Sequence, residues 1–257
     1  MLLAQISDLH ITRPGRLVAG KVDTSAYLRR AIARLNAFTP RIDAVVITGD
    51  LVDRGEREEY EALREMLAEL AAPAHLLIGN HDERAAFRSA FGGNGAFVQY
   101  AIDVGALRLL ALDTVDAGRP GGRLCGERRA WLAAELARAS GPIIIAMHHP
   151  PFDTGIGFMD RCRLDRDDSM RLDELLRKHS NVERVICGHV HRSVTARFGG
   201  TVAAIAPSCA HQVTLALDPD ARDSFVFEPP AFVLHRWDGA LASHVVPIEP
   251  GDGPHEF

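Results

Sequence analysis

Short apolar runs punctuate the chain, separated by longer stretches in which apolar side chains return every three or four positions. The runs cover residues 2–6, 44–47, 74–78, 142–147 and 182–187, each the length of a strand and short for a helix. Little polar alternation breaks them, so they read as strands buried on both faces, as in a parallel sheet. Between them, Leu28, Ala31, Ile32 and Leu35 share one helical face. That helix is expected to start near Asp23 or Thr24, either of which can cap it, and to end by Pro40. Tyr60, Leu63, Leu67 and Leu70 mark a second helix stopped by Pro73. Residues 83–91 predict a short third, the segment around Trp131, Leu132 and Leu136 a fourth, and residues 169–178 a fifth. Through residue 91 the order is β-α-β-α-β-α, which points to the α/β class. Two strand-like segments, 97–102 and 107–112, then meet at Val104-Gly105 as an antiparallel pair. Past His191 the pattern changes to short β-like pieces at 202–205, 213–217, 231–236 and 244–248, expected to complete a second sheet. Three Gly-, Pro- or Arg-containing loops, 13–21, 117–126 and 152–168, are long for connections and are expected to line a site.

The polar residues that end the apolar runs change the picture. The first run stops in Ser7-Asp8-Leu9-His10 and the second in Thr48-Gly49-Asp50. The third stops in Gly79-Asn80-His81-Asp82, the fourth in His148-His149, and the fifth in Gly188-His189-Val190-His191. Singly these are ordinary residues: an aspartate or asparagine in a turn, a hydrogen-bonded histidine after a strand. Jointly they are costly to bury unless paired or bound to metal. The carboxyl ends of parallel strands lie along one edge, where α/β proteins place ligands. Imidazole, carboxylate and amide oxygen suit iron, manganese, zinc or cobalt. Asp8, His10, Asp50, Asn80, His148, His189 and His191 offer more groups than one ion can use. They suit two divalent ions about 3.5–4 Å apart with one bridging carboxylate, an arrangement that clamps a phosphoryl group.

Composition narrows the partners. A chain of 257 residues holds one large α/β core, or a core with a small appendage. The expectation is one domain over 1–257, with 196–257 supplying a cap or a subunit contact and the tail after Pro250 frayed. A net charge of −5 leaves no polyanion footprint, so no nucleic acid polymer is expected as partner. No apolar run approaches the roughly 20 residues of a membrane span, and no cleavable leader is evident, which predicts a cytoplasmic protein. Cys125, Cys162, Cys187 and Cys209 lack the paired spacing of a zinc knuckle or a disulfide framework.

In order, identity and spacing, these motifs resemble the calcineurin-like metallophosphoesterase superfamily across residues 1 to about 195. Within it the chain is most similar to bacterial glycerophosphodiesterases and class III cyclic nucleotide phosphodiesterases. Ile6-Ser7-Asp8, Thr48-Gly49-Asp50, His148-His149-Pro150-Pro151 and Ala210-His211-Gln212-Val213 carry that narrower likeness. The resemblance implies a four-layer α/β/β/α sandwich with two mixed β-sheets. It implies that Asp8, His10 and His191 hold one metal, that Asn80, His148 and His189 hold the other, and that Asp50 bridges them. His81, placed beside the second metal, would contact the phosphate and assist the leaving alkoxide. With Asp50 and Asn80 it would form the catalytic set, while Asn80, His81 and His211 would face substrate. His149 would support the site, and Asp82 would orient neighbours or cap the next helix. The implied reaction is hydrolysis of a small phosphodiester by water activated at the metals, in a homo-oligomer (a dimer or higher). A phosphomonoesterase, a nucleotide-lipid pyrophosphatase and a non-enzymatic scaffold are the rival readings.

Overall fold

The computed structural model describes residues 1–218 and 220–256. Its first half contains β1 (Leu2–Ile6), α1 (Thr24–Asn36), β2 (Ala44–Thr48), α2 (Arg57–Leu67), β3 (Ala74–Leu77), α3 (Arg84–Phe91), β4 (Tyr100–Val104) and β5 (Leu107–Leu112). There follow α4 (Gly126–Arg138), β6 (Ile143–Met147), α5 (Gly157–Asp160), α6 (Arg166–Leu176) and β7 (Val182–Cys187). The end is all strand: β8 (Val194–Phe198), β9 (Thr201–Ile205), β10 (Gln212–Val213), β11 (Phe225–Val226), β12 (Ala231–Trp237) and β13 (Leu241–Pro247).

Period-two alternation sorts the strand side chains into layers. Along β1, Leu2, Ala4 and Ile6 join Val45 and Ile47 of β2 in a core closed by Leu28 and Ile32 of α1, Tyr60 and Leu63 of α2 and Phe87 of α3. Leu3, Ala44 and Val46 face the other way and meet Leu109, Ile144 and Ile186 of the second sheet. That sheet's outer face packs on Leu132 and Leu136 of α4 and Leu172 and Leu176 of α6. The result is the expected α/β/β/α sandwich. The first sheet runs β13-β12-β1-β2-β3 and the second β4-β5-β6-β7-β9-β8. Both are mixed: β1, β2 and β3 are parallel, as are β5, β6, β7 and β9, while β12, β13, β4 and β8 run antiparallel to their neighbours. The parallel strands set the site, because their carboxyl ends share one edge. There Asp8 N donates to Gly49 O, and Gly188 N, across the second sheet, to His148 O.

Several expectations shift. The run 74–78 is an edge strand with Ala74, His75 and Leu76 only half-buried, because sheet order leaves β3 without an outer neighbour. Asp23, not Thr24, caps α1, accepting from Ala26 N at 3.0 Å. The second helix ends at Leu67, and Leu70 lies in a tightened turn beyond it. The loop 152–168 contains α5 and the start of α6, whose cap Asp165 accepts from the amides of Asp167 and Asp168. The β-rich end completes both sheets: β8 and β9 extend the second, and β12 and β13 extend the first. Of the 213–217 piece only Val213 falls in a strand, where with Gln212 it pairs with β11.

Candidate metal centre

Among the described residues, five of the six non-glycine residues with left-handed backbone are Asp8 (φ 56°), His10 (45°), Asp50 (48°), His189 (76°) and His191 (58°). That conformation costs L-residues roughly 1–2 kcal/mol each, so its concentration at one sheet edge marks a place where the surrounding fold overrides local preference. It turns the chain sharply after each strand and directs the side chains inward. Close approach then demands glycine. A Cβ on Gly79 would stand 2.2 Å from Asp50 Oδ1, and one on Gly188 would stand 2.1 Å from Ser7 Oγ.

The structure brings the seven candidate ligands together, all buried except half-buried Asn80. In one group, His10 Nε2 is 3.1 Å from His191 Nε2, which is 3.7 Å from Asp8 Oδ1. In the other, His148 Nε2 is 3.2 Å from Asn80 Oδ1 and 3.3 Å from His189 Nδ1. Asp50 Oδ2 stands between the groups, 3.6 Å from His10 Nε2 and 3.4 Å from His148 Nε2. Backbone carbonyls fix two tautomers: His148 Nδ1 donates to Thr48 O at 2.8 Å and His191 Nδ1 to His211 O at 3.0 Å. In the neutral rings both Nε2 lone pairs therefore point into the centre, at other lone pairs. His10 Nδ1 and His189 Nε2 are buried without a partner. Burial pushes His189 down to about 3 and His191 to about 4, and drives His10 well below the ordinary histidine range, so these rings stay neutral. Burial also raises the Asp8 carboxyl to about 7. Burial opposes charge on His148 as well, but the Asp50 carboxylate holds it up to about 9. Burial likewise disfavours the Asp50 carboxylate, and the His148 and His81 rings overcome it, holding its carboxyl well below the usual range. Converging lone pairs and carboxylates with too few protons between them are the donor set of divalent cations. The residues present fit two.

The remaining candidates fall around this centre. His81 is exposed and lies against His10 of the first group, with centroids 4.6 Å apart. Its Nδ1 meets Asp53 O at 2.8 Å, and its amide donates to Asp50 Oδ1 at 2.9 Å. Asp82 neither caps nor coordinates. It accepts from Gly79 N (2.7 Å), Leu51 N (3.1 Å) and Tyr60 Oη (2.9 Å), tying the turn after β3 to the turn after β2, while Glu83 caps α3. His149 is buried against His148 and His189, with Nδ1 2.8 Å from Thr114 Oγ1 and Nε2 unpartnered. His211 is buried, with its ring 4.8 Å from His191 and 5.1 Å from Phe225 and its carbonyl holding His191. Sequence reasoning missed three supports. The Asp53 carboxylate is 3.9 Å from His10 Nδ1, Thr24 Oγ1 donates to His10 O at 2.9 Å, and Ser208 Oγ donates to Asp8 O at 3.1 Å. Only Asp53, three residues after Asp50, carried a local signal.

Comparison with known proteins agrees with this geometry. A family profile described as calcineurin-like phosphoesterase matches residues 1–193. Over its full length the chain is 34% identical to a probable glycerophosphodiester phosphodiesterase of Arcobacter nitrofigilis, 97% of which is covered. It is 35% identical to a probable cyclic nucleotide phosphodiesterase of Rhodopseudomonas palustris, over 95% of this chain and 96% of that one. A dimetal phosphatase from Danio rerio shares the fold, with a TM-score of 0.70 at 15% identity over 97% of this chain and 96% of the other.

Proposed function

The chain belongs to the calcineurin-like phosphoesterase family, and from that premise we propose that it is a dinuclear metal-dependent hydrolase of small phosphodiesters. Glycerophosphodiesters and cyclic nucleotides are its substrate classes. The observation that carries this reading is the position of Asp50 Oδ2 between two buried donor groups, 3.6 Å from His10 and 3.4 Å from His148. Asp8, His10 and His191 would hold one cation and Asn80, His148 and His189 the other, with Asp50 placed to serve both. Iron, manganese, zinc and cobalt all suit the donors. When bound, such a pair neutralises phosphoryl oxygens and brings the pKa of water towards about 7.

The chain's own residues supply the rest. His81 Nδ1–H donates to the Asp53 carbonyl, which leaves Nε2 for substrate. Burial opposes charge on that ring, but the Asp50 carboxylate and the Asp53 carbonyl raise its pKa, so it keeps a proton to give to the departing alkoxide. The Asn80 amide offers donors to a phosphoryl oxygen beside it, and His211, held against His191, borders the same space. The whole chain acts as one unit, because β12 and β13 complete the sheet that begins with β1. A homo-oligomer completes the reading: Leu215, Leu217 and Phe227, around the β10–β11 hairpin, are more than half exposed. A cytoplasmic site of action belongs to it too; no helix among the described residues is long and apolar enough to cross a membrane.

The test is turnover of a glycerophosphodiester, 3′,5′-cyclic AMP and a phosphomonoester by metal-reconstituted protein. Diesters are expected to be the faster substrates, with a loss of roughly 10²-fold in Asn80→Ala. Faster monoester cleavage, or full activity in the variant, would refute the reading.

A further inference from the structure

On one flank of the sandwich, α3 and the edge strands β3 and β4 border a cavity of about 470 Å³, none of whose lining residues is a candidate metal ligand. Small-molecule pockets span roughly 300–1,000 Å³. Sheet order accounts for its place. β3 has no outer neighbour in the first sheet and β4 has none in the second, and Tyr100 Oη links the two edges by donating to Leu76 O at 2.9 Å. The chain leaves α3 through Gly92 and Gly93. A Cβ at either, or at Gly95, would meet nothing within 4 Å, so the mouth is unobstructed.

The walls are aromatic: Phe87, Phe91, Phe97 and Tyr100 all line the cavity. Phe87 and Phe91 lie 5.4 Å apart and meet buried Tyr60 edge-on, at 6.2 and 6.4 Å. The lining contains no acidic residue and one permanent cation, Arg88. His75, half-buried on β3, adds no charge, because burial lowers its pKa below the ordinary histidine range. The neighbouring arginines are committed elsewhere. Arg84 forms a bidentate pair with Asp113, both bonds 2.7 Å long, and Arg128 donates to the Asp113 carbonyl at 2.9 Å. These two guanidinium groups also lie over the Phe97 ring, 5.7 and 4.6 Å from its centroid. Arg88 differs. It is half-buried, makes no ion pair among the described residues, and keeps Nη2 buried without an acceptor. Gln99 Oε1, on the same lining, is likewise buried and unpartnered. Buried polar groups are nearly always paired, so this wall holds a donor and an acceptor that the fold leaves over. A cation beside aromatic faces, with no acid nearby, complements an anion that carries a ring.

We propose that this cavity is a second ligand site, separate from the metal centre, for a small anion with an aromatic or planar apolar body. The ring packs among Phe87, Phe91 and Phe97, and a carboxylate or phosphoryl head takes the Arg88 fork beside the Gln99 amide. The assignment of the metal ligands plays no part in it.

The test is titration of the zinc-loaded full chain with phenylacetate and with benzylphosphonate, followed residue by residue in ¹H–¹⁵N correlation spectra. The amides of residues 74–76, 87–94 and 97–100 are expected to shift together and to saturate. A Kd on the order of 1 mM is what a ligand of roughly ten heavy atoms ordinarily delivers. Binding of either head at the metal centre registers separately, at residues 8–10, 50 and 188–191. The tighter of the two probes tells a carboxylate from a phosphoryl head. Acetate, which lacks the ring, and benzyl alcohol, which lacks the charge, should each bind at least about tenfold more weakly than phenylacetate. Arg88→Gln should fold as the parent does, because it breaks no ion pair, and should weaken both anions by about tenfold. Arg88→Glu should reverse the preference, taking 2-phenylethylamine more tightly than phenylacetate. Parental affinity in Arg88→Gln would overturn the proposal. So would acetate or benzyl alcohol binding as tightly as phenylacetate, or the absence of a saturable shift at the flank amides.

Discussion

Replacing Gly79 by alanine adds one carbon at the most crowded point of the centre. The new Cβ would lie 2.2 Å from Asp50 Oδ1, 2.5 Å from Asp50 N and 2.7 Å from His148 Cε1. Restoring the 3.4 Å of ordinary van der Waals contact requires the carboxylate to retreat by about 1.2 Å. The Asp50 amide is backbone and cannot swing aside. Gly79 does not have left-handed φ, so alanine brings no conformational penalty and the effect is steric. Overpacking of this kind costs about 1–3 kcal/mol. The carboxylate that moves is the one shared by both donor groups, and Oδ1 also orients His81 through its amide at 2.9 Å. A displacement near 1 Å at a reacting centre costs roughly 10²-fold in rate. Gly79→Ala is therefore expected to fold with a lowered melting temperature, to bind two cations weakly, and to lose about 10²-fold in diester turnover. The control is Gly126→Ala at the start of α4, where nothing lies within 4 Å of the added carbon. It should match the parent in both respects, within about 0.5 kcal/mol of stability. A Gly79→Ala protein with parental turnover and two tightly bound cations would refute the geometry from which the centre is argued.

Three further outcomes follow from the same contacts. Tyr60→Phe removes the hydroxyl that donates to Asp82 and accepts from Glu83 N, both at 2.9 Å, and should cost about 1–3 kcal/mol by urea denaturation; an unchanged midpoint would show that Asp82 does not need it. Chelation should lower the melting temperature, since cations at 100 times their Kd add about 2.7 kcal/mol and the stripped centre keeps its opposed lone pairs; a chelator-insensitive transition would refute the fit to metal. His235 is neutral in the fold, with a pKa of about 3 against an ordinary 6.5, so its contribution is full above pH 6.5 and is lost as pH falls below that. At pH 5 the loss is about 2 kcal/mol, and metal-free His235→Gln should show a pH dependence of stability shallower by that amount; identical slopes would refute a buried neutral ring.

What the sequence discloses is what local chemistry controls. Apolar runs ending in Asp, Asn or His pointed to five of the strands and to the seven candidate ligands that the structure brings together, because strand-end turns are short-range features. The edge position of β3 was hidden, since its apolar run resembles that of a central strand until the sheet order is known. The run Asp165-Arg166-Asp167-Asp168 carries the start of α6, a capping aspartate and an acidic first turn, inside a segment whose glycines and arginines give it the composition of a loop. β8 stayed hidden because Val194-Thr195-Ala196-Arg197-Phe198 carries the mixed polarity of an exposed edge strand.

The partners of the centre were less legible for a different reason. Asp82 finds Tyr60 22 residues away, and His235 finds Gln5 230 residues away, pairings that exist only once α2 has packed on the first sheet and β12 has paired with β1. Yet one trace was present. Gln5 and Ser7 interrupt the first apolar run at alternate positions, which places them on a single face of β1. A buried strand carrying two polar residues on one face requires polar company on its neighbouring strands or on the sheet opposite. Thr48 on β2, Cys187 O on β7 and His235 on β12 supply it. The polar end of that face lies against Asp8, and its apolar end, at Leu3, lies in the core between the sheets. The same strand that seals the sandwich thus also delivers Asp8 to the metal centre.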